Sequence, residues 1–225
     1  MKGFKHIFVC IIVFSMSSCT VFDMLSEPSS STNQDSRKKN YSIEEEILSE
    51  LNFARTKPAD YANTVLKPML SRFNGKNYQV QGITIRTKEG ASAVNEAIVC
   101  LKKQKAIQPL RLNKDLSKAA KLLTDYQAES GTTGHYGPNG MDMKMRIERY
   151  GRWDYYIGEN LAYGTKTARD IVAQLIIDDG VANRGHRKNI YNESFTVVGI
   201  HFREGQTVPY GSVCVMDFAG AFVGY

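Results

Sequence analysis

Two histidines and two carboxylates are the residues of this chain whose types and spacing can carry chemistry. His135 lies in a glycine-rich loop, TTGHYGPNG, and His186 lies in NRGHRKNI, where glycine permits close backbone approach. Glu159, in IGENLAYG, and Asp178, in LIIDDG, fall between them. Apolar residues at helical spacing precede Asp178, which places its carboxylate at the end of a core-facing stripe. Because burying an unpaired carboxylate is costly, Asp178 needs a partner, and a histidine is the obvious candidate.

The sequence offers little for other kinds of catalytic site. It contains no HExxH-type zinc spacing and no GxSxG nucleophile elbow. Cys100 lies in a helical apolar pattern and Cys214 in a strand-like run, VCVMDF, so neither is a plausible nucleophile. A further histidine, His201, lies in a strand-like stretch without an obvious acidic partner, and we expect a structural role for it.

The elements that must position these residues begin with helices. Ser42 and Glu45 have the spacing of a capping box and open a predicted first helix. Pro58 can occupy the first turn of a second helix. Apolar residues at i, i+3, i+4 and i+7 predict two further amphipathic helices, around residues 94–101 and 116–123.

The second half of the chain mixes strands with helices. Residues 78–86 alternate and are rich in β-branched side chains, which predicts a small hairpin or extended insert. Helices are then predicted over residues 141–150 and 167–178, and strands over 155–163, 195–202 and 212–218. Helices followed by strands interleaved with helices indicate an α+β fold, in which helices pack on a short antiparallel sheet.

The N-terminus predicts export. Residues 1–18 combine a basic start with an apolar core too short to cross a bilayer, which is typical of a signal peptide. The ending SSC resembles a bacterial lipobox, so we expect Cys19 to carry a lipid; a plain signal peptide with Cys19 as an incidental thiol is the alternative. Residues 19–40 then form a lipidated cysteine and a polar, flexible tether, and residues 41–225 form one domain. We therefore expect an extracytoplasmic protein held to a membrane by its lipid.

The net charge and the cysteine content limit the possible binding partners and disulfides. The 225 residues carry 29 Lys and Arg against 23 Asp and Glu, a net charge of +6, and removal of Lys2 and Lys5 with the signal leaves 27 against 23. This mild excess, without a basic stripe, argues against nucleic acid as a partner. Once Cys10 is removed and Cys19 is lipidated, Cys100 and Cys214 are left, and they are either one disulfide or two thiols.

Several motifs in a fixed order resemble one family. GHYG around His135, GEN at Glu159 and DDGVANRGHRKNI around His186 are similar to the CAP superfamily of cysteine-rich secretory proteins, antigen 5 and pathogenesis-related 1 proteins, also called the SCP domain. The likeness extends to LNFARTKPADYA, PLRLNKDLSKAA, MRIERYGRW and VCVMDFAG, covers most of residues 41–225, and is greatest to the bacterial branch. It implies an α-β-α sandwich with a cleft that holds His135, Glu159, His186 and, where the family usually has Glu, Asp178.

The implied cleft leads to three functional hypotheses. The four side chains can bind Zn²⁺ or another divalent cation, or each carboxylate can orient a histidine and lock the loops over the sheet. The leading hypothesis is an exported, lipid-anchored binding protein that takes a divalent cation and an unknown lipid, peptide or glycan. The second is a metal-dependent hydrolase of peptide or cell-wall substrates, with Glu159 and His186 as candidates for activating water. The third is a surface interaction protein whose constellation is purely structural.

Overall fold

Caps and apolar periodicity place the helices close to where the sequence predicts them. The computed structural model describes residues 41–80 and 82–225. Ser42 and Glu45 form the predicted capping box, and Pro58 occupies the first turn of the second helix. The α-helices of the described chain are α1 (Ile43–Thr56), α2 (Pro58–Tyr61), α3 (Lys67–Met69), α4 (Ala91–Lys103), α5 (Lys114–Ser130), α6 (Met143–Glu148), α7 (Ala168–Ile177) and α8 (Gly185–Ile190), with a π-helical turn, Ala62–Leu66, between α2 and α3.

The strands form two sheets. A three-stranded antiparallel sheet has the order β1-β2-β3, and a four-stranded sheet has the order β4-β6-β7-β5. The larger sheet is mixed, because β4 runs parallel to β6, whereas the sequence predicts an antiparallel sheet. A strand of two residues has no alternation by which the sequence could reveal it. The strands are β1 (Phe73–Asn74), β2 (Asn77–Val80), β3 (Ile83–Arg86), β4 (Arg111–Leu112), β5 (Gly151–Tyr163), β6 (Val197–Glu204) and β7 (Ser212–Gly224).

Alternate residues of β7 separate two helical layers. Met216 and Phe218 pack in the core shared with α1, α4 and α7, whereas Val213 and Val215 pack against α5. Successive side chains of a strand point to opposite faces, so this sorting puts the larger sheet between the layers. The chain therefore has the predicted α+β architecture, an α-β-α sandwich.

The two cysteines of the described chain are free thiols, so the disulfide alternative is wrong. Cys100 lies in a helical layer on α4, and Cys214 lies in the sheet on β7. Cys214 is buried among apolar side chains, and burial raises the pKa of its thiol. Both thiols pack as small apolar groups.

The predictions for the N-terminus lie outside the described residues. They are the signal peptide over residues 1–18, the lipid on Cys19 and the tether over residues 19–40. Along residues 41–80 and 82–225, no helix combines the length and the apolar character needed to cross a membrane.

Candidate functional site

A buried arginine fixes the first histidine–carboxylate pair. His135 Nδ1 lies 2.7 Å from Glu159 Oε1, and Glu159 projects from β5 with its side chain buried. Arg146, which is fully buried on α6, forms an ion pair with the other oxygen of Glu159 and donates to the carbonyl of His135 at 2.6 Å. Arg146 therefore holds both the acid and the loop that carries the histidine.

A second buried acid, Asp217, lies beside this pair. Asp217 is directly opposite Glu159 in the β5–β7 register and is fully buried. Burial raises the pKa of Asp217, and the negative charge of Glu159 raises it further. Neither oxygen of Asp217 has a hydrogen-bond partner in the described chain. The sequence motifs do not assign Asp217 to the site, and its one signal in the sequence is that it is an acid within the apolar run VCVMDF.

The second pair is local in the chain. Asp178 Oδ1 lies 2.6 Å from His186 Nδ1, and Asp178 Oδ2 accepts the backbone N–H of His186 at 2.9 Å. Asp178 ends α7 in the left-handed conformation, with φ of 56°, which Asp tolerates better than most residues. Arg184 donates to the Asp178 carbonyl at 2.8 Å. The tight turn brings Asp178 to its histidine although its side chain is one methylene shorter than Glu.

Successive residues of the edge strand β5 contact the two pairs. Glu159 and its neighbour Asn160 are successive strand residues and point to opposite faces. Asn160 Nδ2 donates to the His186 carbonyl at 3.0 Å. Asn189 Nδ2 contacts both the Glu159 carbonyl, at 3.2 Å, and Asn160 Oδ1, at 2.9 Å. Two asparagines thus couple the second pair to the strand that carries the first.

In both pairs the histidine contacts its carboxylate through the same ring nitrogen, Nδ1. All four oxygens of Glu159 and Asp178 are engaged. A hydrogen bond from Nδ1–H to a carboxylate leaves Nε2 with a free lone pair, which is the usual state of a metal-binding imidazole. Among the described residues, no three His, Cys, Asp or Glu side chains are grouped closely enough to hold a metal ion. Each carboxylate thus orients one imidazole, and an Nε2 lone pair oriented in this way is a donor suited to Zn²⁺.

A cavity of about 730 Å³ adjoins this site, a volume typical of small-molecule pockets. Asp178 and His186 are among the polar residues of its wall, which also includes Leu161 and Tyr163 of β5. The Tyr163 hydroxyl accepts the N–H of Gly134 at 3.0 Å, so the wall also contacts the His135 loop. Burial raises the pKa of Tyr163, which keeps its hydroxyl protonated.

His201 lies apart from these pairs. Its Nδ1 is 2.6 Å from the Thr124 hydroxyl, and burial lowers the pKa of the ring. A neutral, half-buried imidazole bonded to a hydroxyl agrees with the structural role that we expected.

Comparisons with known proteins identify the family to which the chain belongs. The family model "CAP: Cysteine-rich secretory protein family" matches residues 84–218, which is more than half of the chain. The "Uncharacterized protein YkwD" of Bacillus subtilis (strain 168) is 26% identical over 141 residues, which cover 61% of this chain and 51% of that protein. The chain thus spans about half the length of this curated relative.

Two solved structures also match parts of the chain. An extracellular protein containing a SCP domain from Bacillus anthracis str. Ames has a TM-score of 0.40 and 19% identity, over 50% of this chain and 34% of that one. An outer surface protein from Borrelia burgdorferi has a TM-score of 0.42 and 21% identity, over 50% of this chain and 78% of that one.

Proposed function

The chain belongs to the cysteine-rich secretory protein (CAP) family, and we propose that it is an exported, lipid-anchored binding protein whose cleft takes a divalent cation and an organic ligand. The observation that carries the proposal is the pairing of both His135 and His186 with buried carboxylates through Nδ1. This pairing leaves the Nε2 of each ring free as a donor, and His186 lines a cavity of about 730 Å³.

His135 and His186 are the residues that would hold the cation. Glu159 and Asp178 would fix the imidazole tautomers and keep the rings from rotating. The His135 side chain is 55% exposed and that of His186 is 26% exposed, so solvent and ions reach both rings. A bound Zn²⁺ would supply a local positive charge that attracts a carboxylate or polarises a carbonyl.

Calorimetric titration tests cation binding. We expect heat on adding Zn²⁺ to the full chain in detergent, and no heat with His135→Ala/His186→Ala. His201→Ala is the matched control, since it removes an imidazole outside the site and should leave the heat unchanged. Titration with Mg²⁺ should give little heat, because Mg²⁺ prefers oxygen ligands. Absence of Zn²⁺ heat with the unaltered chain would remove the cation from the proposal.

The export and anchor rest on residues 1–19, where a basic start and a short apolar core end in Cys19. Metabolic labelling with a palmitate analogue should mark the unaltered chain and miss Cys19→Ser. Cys100→Ser is the control, because that thiol belongs to the folded domain. Labelling that survives Cys19→Ser would exclude the anchor.

No contact in the described chain favours the hydrolase hypothesis. Glu159 would have to accept a proton from water, and both of its oxygens are engaged by His135 and Arg146. The hydrolase hypothesis would be supported if the unaltered chain hydrolysed purified peptidoglycan or a peptide library and Glu159→Gln did not.

A further inference from the structure

We propose that the cavity beside His186 binds an extended peptide, which adds a strand to the free edge of β3. The inference rests on the proposed function, because it names the chemical class of the organic ligand in that cleft. Strand addition supplies affinity through backbone hydrogen bonds and specificity through alternate side chains.

The edge of β3 has backbone groups ready to pair. β3 is the outer strand of the small sheet, and all four of its residues are exposed. The N–H of Thr87 donates to the carbonyl of Lys76 at 2.8 Å, which sets the phase of the ladder between β2 and β3. In an antiparallel pair this phase alternates. The N–H and C=O groups of Thr84 and Arg86 therefore point away from β2, toward the free edge.

On β5, the other edge strand near the cavity, some outward backbone groups are already bonded. The outward carbonyl of Glu159 on β5 accepts Asn189 Nδ2, and that of Tyr163 accepts Gln174 Nε2, each at 3.2 Å. Side-chain amides of α7 and α8 thus occupy two of the outward carbonyls of β5. Within residues 41–80 and 82–225, no side chain or backbone group bonds to the outward groups of Thr84 or Arg86. The edge of β3 is accordingly available to a peptide.

The apolar side chains of β3 face the same space. Ile83 and Ile85 are 57% and 37% exposed, and both line the cavity together with Leu161 and Tyr163 of β5. Proteins usually protect an exposed edge with charged side chains or proline, and an apolar edge is a site of strand pairing. A strand bound here would place every second side chain against these apolar walls.

One cation of the cavity lining, Arg86, can pair with an acidic group on the peptide. Arg86, at the end of β3, lines the cavity and makes no ion pair with a carboxylate of the described chain. The three acids of the lining already accept hydrogen bonds, Asp170 among them from the Thr167 hydroxyl at 2.7 Å. Asp178 accepts from His186, and Asp179 accepts the N–H groups of Lys88 and Glu89 at 2.6 and 2.8 Å. A carboxylate of the peptide would be the counter-ion of Arg86.

Selection from a displayed library of random decapeptides tests the inference on the full chain in detergent. Thr84→Pro is the key variant, because proline removes one outward N–H while the ladder between β2 and β3 does not use it. Thr84→Val is the matched control, since it keeps the N–H. We expect peptides with alternating apolar residues and one acidic residue to be enriched on the unaltered chain and on Thr84→Val, and not on Thr84→Pro.

Fluorescence anisotropy of the most enriched peptide then measures the interaction. We expect binding to weaken about tenfold or more with Thr84→Pro or Arg86→Glu, a change of about 1.4 kcal/mol. N-methylation of amides at alternate positions should abolish binding in one phase and spare it in the other. A pool that enriches equally on Thr84→Pro, or no enrichment, overturns the inference. Binding of dodecanoate that ignores Thr84→Pro, without peptide enrichment, would identify a lipid occupant and also overturn it.

These outcomes are separable from those for the cation. Zn²⁺ heat that persists in Thr84→Pro while peptide binding is lost supports both proposals. Zn²⁺ heat without any selected peptide removes the peptide alone. A selected peptide that obeys the N-methylation test on a chain that gives no Zn²⁺ heat removes the cation alone.

Discussion

The two histidine–carboxylate pairs reach the same Nδ1 geometry by different routes. Glu159 is held by an ion pair with Arg146, which belongs to a different element, α6. Asp178 is held locally, by a left-handed turn that brings His186 back to it within eight residues. The first pair depends on packing of the whole domain, and the second depends on one helix end.

This difference predicts how substitutions in each pair should affect the stability of the fold. In the first pair, the buried Glu159 carboxylate is compensated by the fully buried guanidinium of Arg146. Removing one partner leaves the other as an unpaired buried charge. The second pair adjoins solvent, and backbone groups share its hydrogen bonds. Damage to the first pair should therefore cost global stability, and damage to the second should cost mainly local order.

The largest expected effect is that of Arg146→Ala. It should lower the free energy of unfolding by about 3–5 kcal/mol, because it leaves Glu159 buried without its counter-charge. Arg184→Ala, which removes a partly exposed arginine beside the second pair, should cost only about 1 kcal/mol. Urea denaturation measures both. Equal losses would show that the pairs do not differ in the way described.

Replacing each carboxylate by its amide should also destabilise the first pair more than the second. Glu159→Gln should cost about 2 kcal/mol, since Arg146 keeps a neutral partner in place of a charged one. Asp178→Asn should cost about 1 kcal/mol, because Asn still accepts from the His186 N–H and tolerates the left-handed turn. Urea midpoints compare the two, and a larger loss for Asp178→Asn would reverse the comparison.

Backbone strain should appear only at the second pair. Asp178→Ala and Asp178→Gly both remove the carboxylate, but only Gly adopts φ of 56° without steric cost. We expect Asp178→Ala to be less stable than Asp178→Gly by about 1 kcal/mol in thermal unfolding. At Glu159, in a regular strand, the order should reverse, with Ala more stable than Gly. The same order at both positions would exclude strain as the cause.

The smallest effect concerns His201, which has a hydroxyl partner in place of a carboxylate. Burial lowers the pKa of His201, so the folded state keeps it neutral while the unfolded chain takes up a proton near pH 6.5. Stability therefore falls as the pH drops below about 6.5, because the unfolded state binds more protons. His201→Gln should flatten this acid dependence in denaturation series between about pH 7 and pH 5. An unchanged slope would show that other groups cause it.

Features that depend on neighbouring residues could be predicted from the sequence. The capping box at Ser42 is confirmed, and the histidine partner expected for Asp178 is His186, eight residues further on. Arg146 and Asp217 could not be assigned in this way, because their contacts with Glu159 arise only when α6 and β7 pack on β5. The sequence also does not predict the free edge of β3, because only the packing of the other elements shows that none of them pairs with it.

Nitrogen-15 NMR of the histidine rings during a Zn²⁺ titration tests the central claim most directly. If His135 and His186 hold one cation together, their Nε2 resonances should shift in parallel and reach a plateau at the same Zn²⁺ concentration, while those of His201 stay in place. Shifts of only one of the two rings, or of neither, would contradict the proposal that the two carboxylate-oriented histidines form one cation site.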